Sequence, residues 1–297
     1  MYTAIRDIHL PGVFGTVKAG LDALGIDAVE LHYERDKTVA SPDSPGRESL
    51  ADKTAVEHFA YRCSGLKIKP SALLLANNFG AEDLAGELDW VVSAVKAAGQ
   101  LGVRAIRIDA YLSTQDQWPL EKRARHFADC MSRILDATSK LDVAMGIENH
   151  GHKGNEQEFL DAVLDAVHTP RVGLTLDTGN FYWYGYPLAK VHELIKHFAP
   201  RVKHTHIKSI HFPADKRDIQ REIGWEYGTY ASSLREGDID MRLVFSALRN
   251  AGYKGDLCVE DESLGRYDKE KRKAILIDDA AYVKQVLKAV QPPARSG

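Results

Sequence analysis

The chain has 297 residues, 44% of them hydrophobic and 27% charged, and a formal net charge of −3 with histidine neutral. That length suffices for one large α/β domain with a sizeable core, and the composition excludes disordered and fibrous classes. The slightly acidic balance gives no global attraction to nucleic acid or to an anionic membrane surface.

Along the chain, short runs rich in Val, Ile and Leu alternate with longer stretches of helical periodicity. The expected strands are Ala4–His9, Ala28–His32, Ser71–Ala76, Ala105–Asp109, Ala144–Asn149, Val172–Asp177, Val202–Lys208 and Asp256–Glu260. Three intervening helices are clearly signalled. Ala81–Gly99 carries Leu84, Leu88, Val91, Val92 and Val95 and is ended by Gly99 and Gly102; Leu120–Leu135 carries Phe127, Met131 and Ile134; Glu156–Val167 places Phe159, Leu160, Val163 and Leu164 on one face before Pro170. The phrases ALGIDAVEL, QLGVRAIRI and NAGYKGDLCVE repeat one order of helix end, glycine, short turn and buried strand. Eight such units predict an α/β fold, a closed (β/α)8 TIM barrel, as a single domain over residues 1–297. The first strand–helix turn, HLPGVFGT, is not a GxGxxG fingerprint, which argues against an open dinucleotide-binding sheet.

Two connections are long for a barrel: Glu34–Glu48 after strand two and His211–Asp238 after strand seven. Both leave the carboxyl ends of strands, the face where barrels place their sites. The second holds Trp225, Tyr227 and Tyr230 beside Glu222, Glu226 and Arg235, which suggests a substrate wall or lid. Cys63, Cys130 and Cys258 form no C-x-x-C pair and read as reduced thiols of a cytoplasmic protein. The opening MYTAIRDIHLPGV has neither signal-peptide nor membrane-span character, and the closing VQPPARSG reads as a short frayed tail.

Four expected strands end in a metal-ligand side chain: Glu148 in MGIENHG, Asp177 in GLTLDTGN, His206 in VKHTHIK and Glu260 in LCVEDES. Glu148 and Asp177, and Asp177 and His206, are each 29 residues apart, about one βα unit; His206 and Glu260 are 54 apart, one unit plus the long loop. A parallel barrel brings such strand ends to one rim, where three carboxylates repel unless a cation neutralises them. Three carboxylates and one imidazole suit one divalent ion, Mn2+ first, then Mg2+ or Co2+, with Zn2+ also compatible. The bland alternative is a set of helix caps and rim charges, such as an Asx-turn at Asp177 before Thr178-Gly179-Asn180.

The runs IENHG, LDTGNF, HTHIK and GYKGDLCVE, with GIDAVEL at strand two, resemble the xylose-isomerase-like barrel superfamily. Within it, they resemble the sugar (phosphate) isomerase/epimerase branch, which includes ketose 3-epimerases, hydroxypyruvate isomerases and inosose dehydratases. The resemblance covers most of the chain. It implies that Glu148, Asp177, His206 and Glu260 bind one divalent metal, and that Glu148 and Glu260 form the catalytic acid/base pair. Two positions depart from the ketose epimerase pattern: Asn180 stands where many members carry a histidine, and Lys208, Ser209 and His211 stand where a loop ending in a substrate-binding arginine is expected.

The expected chemistry is proton abstraction next to a carbonyl, with an enediolate stabilised by metal on adjacent oxygens. His150, in phase with Glu148, is a substrate or proton-transfer candidate. Asn180, Lys208, Arg107 and Trp225 are further substrate-binding candidates, with Glu30, His32 and Asp109 as weaker pocket-lining ones. Lys208 has a structural alternative as a rim ion pair with Asp177 or Glu148, and Trp183 reads as packing. The leading function is a metal-dependent isomerase or epimerase of a small carbohydrate. The main rival is a lyase eliminating from a keto-inositol or keto-glycoside. An abasic-site endonuclease is disfavoured because Asn180 replaces an expected ligand, and a non-catalytic scaffold is disfavoured by the intact ligand set. No nucleic-acid or membrane partner is expected; a homo-oligomer is compatible with the habits of the group.

Overall fold

Eight strands lie side by side, and every pairing between them is parallel. They are β1 (Tyr2–Arg6), β2 (Ala28–His32), β3 (Lys69–Leu74), β4 (Ala105–Asp109), β5 (Ala144–Glu148), β6 (Val172–Asp177), β7 (Val202–His206) and β8 (Asp256–Val259). The order in space follows the chain, with β8 returning beside β1. The ring closes between β7 and β8 through the parallel bridge Ile207–Val259. There Ile207 N–H donates to Cys258 O at 2.7 Å, and Glu260 N–H donates to Ile207 O at 3.0 Å. The expected (β/α)8 barrel is therefore the fold. The structure is a computed structural model and describes residues 1–290; the expected tail from Gln291 onward lies outside the described residues.

The main helices are α1 (Val17–Leu24), α2 (Lys53–Gly65), α3 (Leu84–Leu101), α4 (Leu120–Ala137), α5 (Gln157–Val167), α6 (Leu188–Phe198), α7 (Met241–Asn250) and α8 (Lys269–Val290). Their limits follow from local capping. The expected start at Ala81 moves to Leu84 because the Asp83 carboxylate accepts from Gly86 N–H at 2.9 Å. The same helix runs past Gly99 and stops where Gly102 turns left-handed at φ 73°.

Strand limits differ from expectation in one consistent way. β1 occupies Tyr2–Arg6, and Asp7–His9 is a tight 3-10 turn. The Asp7 carboxylate there accepts from His32 N–H at 3.0 Å, tying the end of β1 to the end of β2. β3 begins and ends two residues earlier than expected, and β5, β7 and β8 stop at Glu148, His206 and Val259. Hydrophobic alternation continues past the last ladder bond, so it cannot mark where the chain peels away.

Both long connections fold. The first contains an antiparallel pair, Thr38–Ala40 with Arg47–Ser49. The second pairs Ser209–Ile210 with Ala231–Ser232 and carries a helical turn at Tyr227–Tyr230. Apolar residues from the strands' outer faces and the helices form one large core, while Ala4, Ala28 and Cys258 fill the floor of the barrel interior. Small side chains on the floor leave the upper interior to polar residues. All three cysteines are free and buried. Among the described residues, no helix is long and apolar enough to cross a membrane.

Candidate metal centre

Period-two alternation turns Glu148, Asp177 and His206 inward at the ends of β5, β6 and β7, and Glu260 follows directly on β8. Asp177 is paired in register with His206, and Glu148 with Thr175. One ligand atom from each of Glu148, Asp177, His206 and Glu260 lies within 4.8 Å of the other three. All four residues are at most 3% exposed. A side chain at Gly146 would collide with Thr175, so glycine there lets β5 and β6 approach closely enough to place Glu148 beside Asp177.

Each carboxylate is held differently. Glu148 Oε2 accepts from Arg107 Nε at 2.8 Å and from the same guanidinium's Nη2, while Oε1 lies 2.6 Å from His206 Nδ1. Asp177 Oδ1 accepts from Gly179 and Asn180 N–H, both at 2.8 Å, which is the Asx-turn that its sequence context allows. Asp177 Oδ2 is left facing the other carboxylates. Glu260 Oε1 takes the Arg6 guanidinium, and Oε2 lies 3.3 Å from His206 Nδ1. Asp177 Oδ2 and Glu260 Oε2 are both buried and accept no hydrogen bond. The Lys208 ammonium stands 3.1 and 3.6 Å from them, in ion pairs that miss hydrogen-bond geometry.

The electrostatics match that geometry. Burial raises the Glu148 and Glu260 carboxyls, but Arg107 and His206 for the first, and His206, Lys208 and Arg6 for the second, hold both well below the ordinary range. Asp177 goes the other way: burial, then Glu260 and Glu148, push it well above that range against the pull of Lys208. Two orphaned buried oxygens, a strained third carboxylate and an imidazole with one nitrogen turned toward them fit a divalent cation.

A second buried group, Glu30, His204 and Cys258, also lies within 4.8 Å. It is neutralised internally. His204 sits between Glu30 at 2.7 Å and Asp256 at 2.8 Å; burial lowers its pKa, but the two carboxylates outweigh that and raise it to about 9. Burial pushes the Cys258 thiol up, away from the thiolate a metal needs.

The remaining expected residues separate into two groups. A cavity of about 210 Å3 above the cluster is lined by His150, Gly151, Asn180, Trp183, Lys208, Tyr227 and Glu262. Within it, Asn180 is 5% exposed with Nδ2 unpartnered. His150 Nδ1 lies 3.1 Å from Asp109 Oδ1. Lys208 reaches Asp177 and Glu262, so the ion pair with Asp177, the structural alternative for this residue, forms in the cavity wall. Arg107 and Trp225 lie elsewhere. Arg107 is buried beneath Glu148, bonded also to Asp109 Oδ2 and Leu75 O. Trp225 stacks on Tyr230 with ring centroids 5.4 Å apart and packs against Phe212. Of the two tryptophans, Trp183 lines this cavity and Trp225 does not, and Arg107 holds Glu148. A larger cavity, about 700 Å3, opens at the opposite mouth of the barrel among Tyr2, Lys69, Arg104, Lys203 and Lys254, away from the cluster.

Arg6 and Glu262 carry no distinguishing signal in the sequence. Arg6 is in phase with Ala4 on β1, and its register partner is Glu30, a signal available only once β1 is known to neighbour β2. Glu262 stands two residues beyond Glu260, where it accepts from both Lys208 Nζ and Tyr227 Oη.

The family model described as xylose isomerase-like TIM barrel matches residues 20–286. An inosose dehydratase from Geobacillus thermodenitrificans is 27% identical over 155 residues, half of this chain and 48% of that protein, so the match spans about half the length of the curated relative. Among solved structures, the IolI protein with a bound zinc atom superposes with a TM-score of 0.69 at 19% identity, covering 98% of this chain and 99% of that one. An L-ribulose 3-epimerase superposes with a TM-score of 0.68 at 17% identity over the whole of both chains. With the family model matching most of its length and the barrel closed as that family requires, the chain belongs to the xylose isomerase-like TIM barrel family.

Proposed function

We propose that the chain is a divalent-metal-dependent enzyme of a small keto-sugar or keto-polyol, and that its reaction begins with removal of a proton from the carbon next to the carbonyl. The observation that carries this reading is the convergence of Glu148, Asp177, His206 and Glu260 beneath a cavity lined by polar and aromatic side chains. Glu148, Asp177, His206 and Glu260 would hold a divalent cation, which would supply electrophilic stabilisation of negative charge developing on neighbouring substrate oxygens.

The chain's own groups supply the rest. Glu260, whose Oε2 accepts no hydrogen bond from the protein, is both a ligand for the cation and the candidate base that takes the proton from carbon. Glu148 has Oε2 gripped by the Arg107 guanidinium, which orients this carboxylate. Lys208 and His150 both line the cavity and are the candidate proton donors to substrate oxygens. Trp183 and Tyr227 add apolar surface to the cavity wall, against which a sugar carbon face can pack.

Two completions of the reaction diverge after that first proton transfer. In an isomerase or epimerase, a second group returns the proton to carbon, the part for which Glu148 is the candidate. In a lyase, an acid protonates a departing β-hydroxyl or β-alkoxyl. Elimination is favoured by two observations: an ammonium 3.6 Å from Glu260 Oε2, and the likeness to an inosose dehydratase. Incubation in D2O with ketoses, keto-inositols and 3-keto-glycosides tests both. Loss of water or aglycone supports elimination. Deuterium uptake without loss supports isomerisation. Neither outcome with any of the three, at saturating Mn2+, would remove the shared proton-abstraction step.

A further inference from the structure

We infer that Glu30 is a positioning residue for His206, fixing which ring nitrogen faces the metal, and that His204 and Asp256 hold Glu30 in place. The inference rests on the reading of His206 as a metal ligand.

The two nitrogens of His206 look in opposite directions. Nδ1 faces Glu148 Oε1 at 2.6 Å and Glu260 Oε2 at 3.3 Å. Nε2 lies 3.0 Å from both oxygens of Glu30. A neutral imidazole offers its lone pair to a cation on one nitrogen when the proton sits on the other. An acceptor carboxylate at Nε2 keeps the proton there and aims the Nδ1 lone pair at the point where the three carboxylates meet. Such a partner also fixes the plane of the ring.

Glu30 needs support of its own, because it is a buried carboxylate in an interior that also holds Glu148, Asp177, Glu260 and Asp256. Its Oε1 also faces His204 Nε2 at 2.7 Å, and Arg6 Nε lies 3.4 Å from Oε2. His204 Nδ1 in turn stands 2.8 Å from Asp256 Oδ2. The sequence of contacts Asp256, His204, Glu30, His206 thus climbs the barrel interior from floor to rim, and all four residues are at most 2% exposed. His204 and His206 lie in phase on β7, Glu30 reaches them from β2, and those strands are not neighbours in the sheet. None of Glu30, His204 or Asp256 belongs to the four-residue cluster or lines the cavity above it; Glu30 touches the cluster directly at His206 and, one step removed, through Arg6, whose guanidinium holds Glu260, whereas His204 and Asp256 act on it only through Glu30.

The competing role is structural: a buried charge network that stabilises the barrel and nothing more. Mn2+ titration calorimetry of the chelator-treated full chain separates the two, using wild type, Glu148→Gln, Glu30→Gln and Asp256→Asn, with the thermal midpoint of each metal-free form measured alongside. Wild type is expected to bind one equivalent, and Glu148→Gln to lose it. Glu30→Gln is expected to weaken Mn2+ binding about 10- to 100-fold, and to shift the visible absorption of bound Co2+ as the imidazole reorients. Asp256→Asn, at the far end, should weaken binding in the same direction by less. If Glu30→Gln does not fold, Asp256→Asn decides. Mn2+ affinity within about twofold of wild type in the folded variant, whatever its thermal midpoint, overturns the inference. Failure of wild type to bind, or binding by Glu148→Gln equal to wild type, overturns the metal-centre reading itself and this inference with it.

Discussion

The Lys208 ammonium lies 3.1 Å from Asp177 Oδ2, on the cavity side of the carboxylate cluster. Burial lowers this ammonium, but Asp177, Glu260, Tyr227 and Glu262 lift it well above its ordinary value, so it stays charged where substrate would sit. Lys208→Met is expected to lower kcat by about 100-fold or more, the usual loss when a positioned acid is removed. One equivalent of Mn2+ should still bind. Steady-state kinetics beside metal titration check this; an unchanged kcat would remove Lys208 from the chemistry.

Arg107 is buried and serves two carboxylates, Glu148 and Asp109. Replacing it by Met leaves both without their cation in a dry interior. Breaking one side of a buried charge network costs about 3–5 kcal/mol. Arg107→Met should therefore show a markedly lower urea midpoint, together with weaker Mn2+ binding as Glu148 loses its orientation. Retention of both properties would contradict the placement of Arg107 beneath Glu148.

Trp183 lines the cavity while Trp225 packs within its own loop. Trp183→Ala is expected to raise KM about tenfold or more with a smaller effect on kcat, the pattern of lost binding surface. Trp225→Ala should act chiefly on loop stability. The two substitutions compared on the same substrate test which aromatic meets it; a larger KM effect from Trp225 would reverse the assignment.

Asp279 on α8 is fully buried, accepts from Leu234 N–H at 2.8 Å, and is raised to about 9 by burial and by Asp261. A carboxyl whose folded value is raised favours folding most when both states are protonated at low pH. Its contribution falls as pH climbs from the unfolded value near 4 toward 9, because only the unfolded chain releases the proton in that window. Asp279→Asn keeps an acceptor for Leu234 and removes the titration. The variant should gain stability over wild type progressively between about pH 5 and pH 8.5 in urea unfolding. A difference independent of pH would show that Asp279 is ionised in the folded protein.

Much of this architecture is written locally. Strand runs, helical faces and the glycine after each helix depend on neighbours a few positions away, so eight units and a parallel barrel follow from pattern alone. Glu148, Asp177, His206 and Glu260 are identifiable because equivalent positions on successive βα units must meet at one rim. Arg6 and Glu30 illustrate the limit. Each sits in an ordinary strand, and only the closing of β7 against β8 brings Glu30 across the interior to His204 and His206.

The sequence by itself determined the barrel, its phase and the four inward ligand-type side chains, because periodicity and unit spacing are properties of consecutive residues. Tertiary structure alone decided which of Trp183 and Trp225 meets the cavity, that Arg107 grips Glu148, and that Glu30 rather than solvent faces the far side of His206. Those relationships depend on distances across the barrel and on how a long loop folds back, and neither is encoded in the spacing of residues along one strand.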